Sequence, residues 1–177
     1  MGENRKVVLQ NFTAVFLSRG EEGTREFLLM KRADDRELNP GVWSGIGGKM
    51  EPQEINDPMA ACLRETQEET GITEENIMGL TLRYIILRHR GRTISQSYIY
   101  FGTTTSDPGA DFWETYEGSL HWVRQQDMLD KPYSLTFRAM LEHYLTQPEE
   151  GKVIVGVAEK TADSLRVRWS GADQFEK

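Results

Sequence analysis

Glu65, Glu68 and Glu69 lie in a run of good helix formers that extends from Met59 to Glu69. At about 100° per residue, with Glu65 at 0°, Glu68 falls at about −60° and Glu69 at about +40°, so three carboxylates share one sector. Met59, Leu63, Thr66 and Thr70 fall between about 100° and 160° and make the expected packing side. Like charges at these spacings repel by roughly a few tenths of a kcal/mol per pair. The alternatives are a solvated acidic face and a face neutralised by a bound cation. A hard divalent ion such as Mg²⁺ takes oxygen ligands, keeps several waters and is usually completed by substrate phosphates. Carboxylates, ion and phosphate then form one charge-balanced unit.

The flanking sequence has to hold that helix in place. Asp57-Pro58 is a helix start, an N-cap followed by proline at the first helical position, and Gly71 is a stop. Upstream, the glycine-dense run Trp43-Ser44-Gly45-Ile46-Gly47-Gly48-Lys49 implies unusual backbone angles or close approach of another group, not plain strand. Phe12 to Ser18 and Glu26 to Lys31 read as a β-hairpin, and Leu80 to Arg88 with Thr93 to Thr104 as a second, longer one. Ser119 to Val123 reads as a short strand. Leu135 to Leu145 reads as a helix packing through Leu135, Ala139, Met140, Leu141 and Tyr144. Lys152 to Ala158 and Leu165 to Trp169 read as a closing hairpin, with Gln147 to Gly151 the best candidate for a boundary. The expected fold class is α+β, with residues 1–177 as one domain and residues 148–177 as its terminal hairpin.

The chain has 177 residues, with 21 Lys and Arg against 28 Asp and Glu, for a net charge of −7. That balance, with no recognisable block of cations, argues against a nucleic-acid polymer as partner, because such affinity comes mostly from phosphate neutralisation. Cys62 is the only cysteine, which excludes an internal disulfide and a four-thiolate zinc site and fits a reducing compartment. No apolar run is long enough for a signal segment or a membrane span. A cytoplasmic protein without a membrane partner is the expectation.

Gly48, Glu54, Arg64, Glu65, Glu68, Glu69 and Gly71 form a spaced set. At ordinary usage, seven such positions coincide by chance about once in 10⁸ placements. The set resembles the Nudix hydrolase box: Gly, five residues, Glu, seven residues, then Arg-Glu-aliphatic-x-Glu-Glu-x-Gly-aliphatic. Thr66 stands where the family prefers an aliphatic residue, and nine residues, not seven, separate Glu54 from Arg64. The two extra residues fall within Ile55-Asn56-Asp57, before the helix. The resemblance implies an α/β/α sandwich with a mixed central sheet and a catalytic loop-helix-loop. It also implies Mg²⁺ or Mn²⁺ as cofactor and hydrolysis of a diphosphate linkage in a small nucleotide substrate. By the same resemblance Glu65 and Glu69 are principal metal ligands, Glu68 is ligand or base, Gly48 offers its carbonyl to a metal, and Arg64 pairs with a box carboxylate. Lys49 is a candidate phosphate contact.

Glu114-Thr115-Tyr116-Glu117, ahead of an aromatic strand, resembles a segment of the oxidised-purine nucleoside triphosphatases of this family. Glu114 and Glu117 are thereby candidates for a further metal ligand or a base. Leu29 to Arg32, Trp43 to Lys49 and the terminal hairpin resemble the same subgroup. Ser44 departs from it at a base-recognising position, and Asp127 and Asp130 only partly reproduce its paired acids. Phe112, Trp113, Tyr133 and Phe137 are aromatic faces on which a base could stack, with Trp113 and Phe137 carried forward as candidate contacts. His89, His121 and His143 have no metal-like spacing and read as structural. The expected reaction converts a nucleoside triphosphate, 8-oxo-dGTP among the candidates, to monophosphate and pyrophosphate. The alternatives are another linked diphosphate (ADP-ribose, a nucleotide sugar or a dinucleoside polyphosphate) or a non-catalytic nucleotide sensor. Monomer and homodimer are both open.

Overall fold

A computed structural model describes residues 6–35, 40–146, 151–160 and 165–171. The strands are β1 (Val8–Arg19), β2 (Glu26–Arg32), β3 (Trp43–Ser44), β4 (Met78–Arg90), β5 (Thr93–Thr103), β6 (Glu114–Thr115), β7 (Gly118–Arg124), β8 (Ile154–Lys160) and β9 (Leu165–Gly171). The α-helices are α1 (Pro58–Thr70) and α2 (Leu135–Thr146). The strands form one mixed sheet in the order β6-β7-β2-β1-β5-β4-β8-β9, with β3 on β2.

The expected first hairpin forms only at its turn, with Leu17 opposite Leu28 and Arg19 opposite Glu26. Over its whole length β1 instead pairs in parallel with β5, from Val8 opposite Thr93 to Ser18 opposite Thr103. This accounts for the continuous apolar run in β1: Val15, Phe16 and Leu17 are all fully buried, as in a central strand covered on both faces. On one face Phe16, Phe27, Ile86 and Ile99 meet Met140 and Leu141 of α2. On the other, Val15, Leu17, Ile46 and Tyr100 meet Cys62 of α1 and Ile72 after it. The result is the α/β/α arrangement. Leu135, expected on the packing side of α2, is instead 65% exposed in its first turn.

Helix α1 begins as its sequence dictates. Asp57 accepts a hydrogen bond from the Ala60 amide, Pro58 stands at the first helical position, and Gly71 ends the helix at φ 72°. Its buried residues are Ala61, Cys62, Thr66 and Thr70, whereas Met59 is exposed. The expected stripe is thus displaced around the wheel. Small residues bring the helix close to β1, and the Thr66 and Thr70 hydroxyls donate back to the carbonyls of Cys62 and Thr66 at 2.7 and 2.6 Å. Rotation toward Ala61 carries Glu65 and Glu69 into the edge of the interface, while Glu68 stays outside. The boundary expected at Gln147 to Gly151 falls on residues 147–150, outside the described residues.

Candidate active site

The glycine-dense segment after β3 runs antiparallel along β1. The Val15 amide donates to Ile46 at 2.7 Å, Thr13 to Gly48 at 3.0 Å, and the Met50 amide returns a bond to Asn11 at 2.9 Å. Gly47 has φ 149°, and a Cβ there would meet the Thr13 carbonyl at 2.2 Å. A Cβ on Gly48 would meet the Glu65 carboxylate at 2.6 Å. One glycine therefore lets the segment press on β1, and the next makes room for a box glutamate. The Gly48 carbonyl, expected to face an ion, accepts from Thr13.

Glu69 accepts a hydrogen bond from the Gly47 amide at 2.9 Å. Burial pushes its carboxyl up to about 8, against the pull of the Gly47 bond; the charges of Glu65 and Glu117 and a hydrogen bond with Glu117 add to the rise. Glu117 reaches this position from the turn between β6 and β7, where Ala33 donates to its carbonyl at 3.0 Å. Burial also raises Glu65, with Arg64 opposing the shift.

Arg64 holds the remaining acids. Its Nε and Nη2 donate to the two Glu54 oxygens at 2.7 and 3.0 Å, Nη2 also to Glu65 at 2.9 Å, and Nη1 to Glu68 at 2.8 Å. The fork holds Glu54 below the usual carboxylate range. Glu54 closes a short 3-10 turn (Pro52–Glu54). The two-residue insertion is absorbed in the turn between Glu54 and Pro58, so Glu54 reaches Arg64 despite the altered spacing. Glu68 remains 58% exposed at the rim.

Several expected members stand apart. Glu114 lies opposite Ser119 in the β6–β7 pair and lines a surface depression of about 450 Å³ with Lys31, Arg32 and Tyr116. Ser119 in turn bonds His121 at 2.8 Å, on the α2 side of the sheet, away from Glu65 and Glu69. Trp113 packs on the α1 side, and Phe137 on the α2 side, 6.1 Å from the Phe16 ring. The sheet lies between them, so they cannot hold one base together. Ser44 is half-buried opposite Met30, and Lys49 is exposed beside Phe12. Cys62 is an inert thiol, raised by burial to about 11. Sequence reasoning missed a platform on the α2 side, where Trp43 lies 5.0 Å from the His121 ring and Lys131 sits 5.4 Å from the Trp43 centroid. The adjacency of Trp43 to the glycine segment was the available signal.

Among the described residues no three carboxylate, imidazole or thiolate groups converge as a finished metal cage. Glu69 is tied to Gly47 and Glu68 to Arg64. The donor set nevertheless suits a hard cation, because it is all oxygen and because two adjoining acids, Glu69 and Glu117, require a shared proton or a positive ion between them. The NUDIX domain family model matches residues 9–169. The chain belongs to the Nudix family. Its Nudix fold is similar to the MutT protein of Bacillus halodurans (TM-score 0.65, 23% identity, covering 91% of this chain and 97% of that one). It is also similar to the MutT protein of Methanosarcina mazei Go1 (0.63, 24%, 81% and 98%). A third similar structure is the NUDIX domain of Shewanella oneidensis NrtR complexed with ADP ribose (0.63, 16%, 81% and 90%). As a Nudix hydrolase, this chain acts on diphosphate linkages. Nudix hydrolases generally use divalent metals.

Proposed function

We propose that this chain is a Mg²⁺-dependent pyrophosphohydrolase that cleaves a nucleoside triphosphate to monophosphate and pyrophosphate. The observation that carries the proposal is Glu69, tied to the Gly47 amide, hydrogen-bonded with Glu117 and within the field of Glu65, a buried acid pair that needs a proton or a cation to balance its charge. Glu65 and Glu69 are the residues assigned to hold the ion, with Glu68 at the rim. When bound there, Mg²⁺ (or Mn²⁺) offsets phosphate charge and acidifies a water. Arg64 fixes Glu65 and Glu68 so that their carboxylates need no reorganisation when substrate enters. Gly47 and Gly48 leave space for a phosphate beside the acids. In the reaction the water oxygen bonds to one phosphorus of the α–β linkage and the bridging P–O bond breaks. The water proton passes to a carboxylate, and Glu117, on a loop rather than the helix, is the assigned acceptor.

Arg32 lines the depression next to the Glu117 turn from the α1 side, where it would meet the far end of a polyphosphate. The resemblance of Glu114 to Glu117 to a segment of the family's nucleoside triphosphatases also favours a triphosphate. The assigned contact for the base is Ser44, which stands opposite Met30 on the α1 side of the sheet, the side of the acids. Residues 1–177 are treated as one domain acting on a small nucleotide. The test is a substrate panel with Mg²⁺, ranked by kcat/KM and including oxidised purine triphosphates, ADP-ribose, nucleotide sugars and dinucleoside polyphosphates. The expected result is preferred cleavage of a triphosphate with release of pyrophosphate. Cleavage of ADP-ribose alone would overturn the triphosphate reading, and nucleotide binding without any turnover would overturn the enzymatic one.

A further inference from the structure

Strands β1, β5, β4, β8 and β9 are consecutive in the sheet, with β4 at their centre. Side chains along each strand alternate between the two faces. Tyr98 and Tyr100 of β5 turn to the α1 core, whereas Tyr84, Ile86, Ile99 and Ile154 turn to the α2 core. The register then sets Ile85 beside Tyr98 and Val155, Leu87 beside Gln96 and Val157, and Leu9 beside Ile94, all on the α1 face. Among the described residues, Leu9, Ile85, Leu87, Ile94, Val155 and Val157 belong to neither core. Leu9 is 70% exposed and Val157 42%, and the other four are half-buried. Strand spacing makes this apolar floor roughly 20 Å on a side, the size at which an exposed patch marks an interaction surface. Helix α1 packs on β1 and rises about 10 Å beside the floor.

Charge is divided across the floor. On the β9 flank Arg166 stands opposite Glu159 and Arg168 opposite Val157, and Glu159 pairs with Arg168 at 3.0 Å, one carboxylate against two arginines. On the β1 flank the Met50 amide donates to the Asn11 carbonyl at 2.9 Å and brings the turn from Glu51 to Asp57 alongside. Arg64 holds that turn to α1 through Glu54, and Asp57 caps the helix. Glu51 and Asp57 are exposed, and Ile55 between them is 51% exposed. Cations therefore edge one side of the floor and acids the other, with aliphatics between. A polyanion would meet the acidic flank as well as the arginines, and a flat bilayer would rest on α1 above the floor.

The surface that complements this face is the face itself. A twofold axis running along β4 lays β4 on its own copy, β8 over β5 and β9 over β1, as two aligned sheets pack. It also brings Arg166 and Arg168 of each chain to the flank of the other that carries Glu51 and Asp57. We infer that this face is the interface of a homodimer whose twofold axis lies along β4. Of the two states open from the sequence, monomer and homodimer, it selects the second. The inference does not rest on the proposed reaction, because the acidic cluster lies on α1 and the β6–β7 turn, and β6 and β7 form the opposite edge of the sheet.

The test is the mass of the full chain by sedimentation equilibrium, which should be that of a dimer at micromolar concentration. Leu87→Lys sets a charge against its own copy on the axis and should raise the dissociation constant about tenfold or more, with an unchanged circular dichroism spectrum. Val157→Lys, at a more exposed position, should do the same and serves if the first variant does not fold. Arg166→Glu combined with Arg168→Glu, and separately Glu51→Arg, should each weaken self-association. The two variants mixed should restore it, because each supplies the charge that the other lost. Leu87→Cys should be joined to its counterpart by a bismaleimide spanning about 10 Å, the separation of packed sheets. Cys62, whose thiol burial raises to about 11, should not react. A single-chain mass at every concentration, a dimer indifferent to both lysine substitutions, no recovery in the mixture, or a Leu87→Cys dimer left unlinked would each overturn the inference.

Discussion

The Glu69 carboxylate sits 2.9 Å from the Gly47 amide nitrogen, joining the box helix to the glycine segment 22 positions earlier. This bond keeps an acid in a site where burial and two neighbouring acids oppose its ionisation. Replacing the carboxylate with an amide separates the two roles, because Glu69→Gln retains an acceptor for Gly47 and removes the charge. The variant should match or exceed the wild type in melting temperature without metal, and lose about a hundredfold or more in turnover. Full turnover at saturating Mg²⁺ would exclude Glu69 from the reaction.

The same cluster sets a pH dependence. Glu69 has a folded-state value of about 8, above that of an unfolded glutamate. Its contribution to stability is therefore fully present below the unfolded value and is lost as pH rises through about 8. Without metal, the melting temperature should fall between about pH 5 and pH 8. A divalent ion replaces the shared proton, so Mg²⁺ should raise the melting temperature more at pH 8 than at pH 6. Equal increments at both pH values would contradict binding at these acids.

Arg64 meets three acids, and two of them, Glu54 and Glu65, have side chains only 11% and 13% exposed. Arg64→Ala strands those charges and should cost about 2 kcal/mol in urea unfolding. Arg64→Lys keeps the charge without the fork and should restore only part of the loss, since a lysine cannot bridge Glu54 in bidentate fashion. Full rescue by lysine would reduce the hub to simple charge balance.

Adjacent glycines should fail differently. A methyl on Gly47 meets the Thr13 backbone, which cannot yield, whereas one on Gly48 meets the movable Glu65 carboxylate. Gly47→Ala should destabilise by about 3 kcal/mol. Gly48→Ala should cost about 1 kcal/mol yet depress turnover strongly, because it displaces Glu65. Comparison of urea midpoints with kcat for the pair distinguishes these effects, and a Gly48→Ala protein with normal kcat would show that Glu65 can shift without consequence.

What was legible in the sequence was what local spacing controls. Asp57, Pro58 and Gly71 bound α1 as expected, and helical geometry put Glu65 and Glu69 on one side. Spacing could not give the rotation of α1 about its own axis, which depends on small residues fitting β1. For that reason Met59 was expected inside and is exposed. Long-range pairing was equally hidden. The partner of β1 is mostly β5, 85 positions away, and only the folded sheet shows that Trp113 and Phe137 lie on opposite faces. Glu114 and Glu117 are three positions apart, but the β6–β7 turn sends them in different directions.

The terminal hairpin provides a final prediction about the extent of the cooperative unit. Trp169 of β9 lies 5.5 Å from the Tyr84 ring and 4.9 Å from that of His143, while the Tyr84 hydroxyl and His143 Nδ1 are 3.0 Å apart. Gly156 lies so close beneath the indole that an added Cβ would meet it at 2.3 Å. Because β8 pairs with β4 and Trp169 reaches α2, the hairpin should unfold together with the rest of the chain. Tryptophan fluorescence and far-ultraviolet circular dichroism should then report coincident urea transitions. Trp169→Ala should shift both by about 2 kcal/mol, less than a fully buried tryptophan would, because this one is half-buried. An early fluorescence transition absent from the dichroism signal would mark the hairpin as a separately folding appendage. In that case the acidic cluster on α1 and the β6–β7 turn would tolerate its removal.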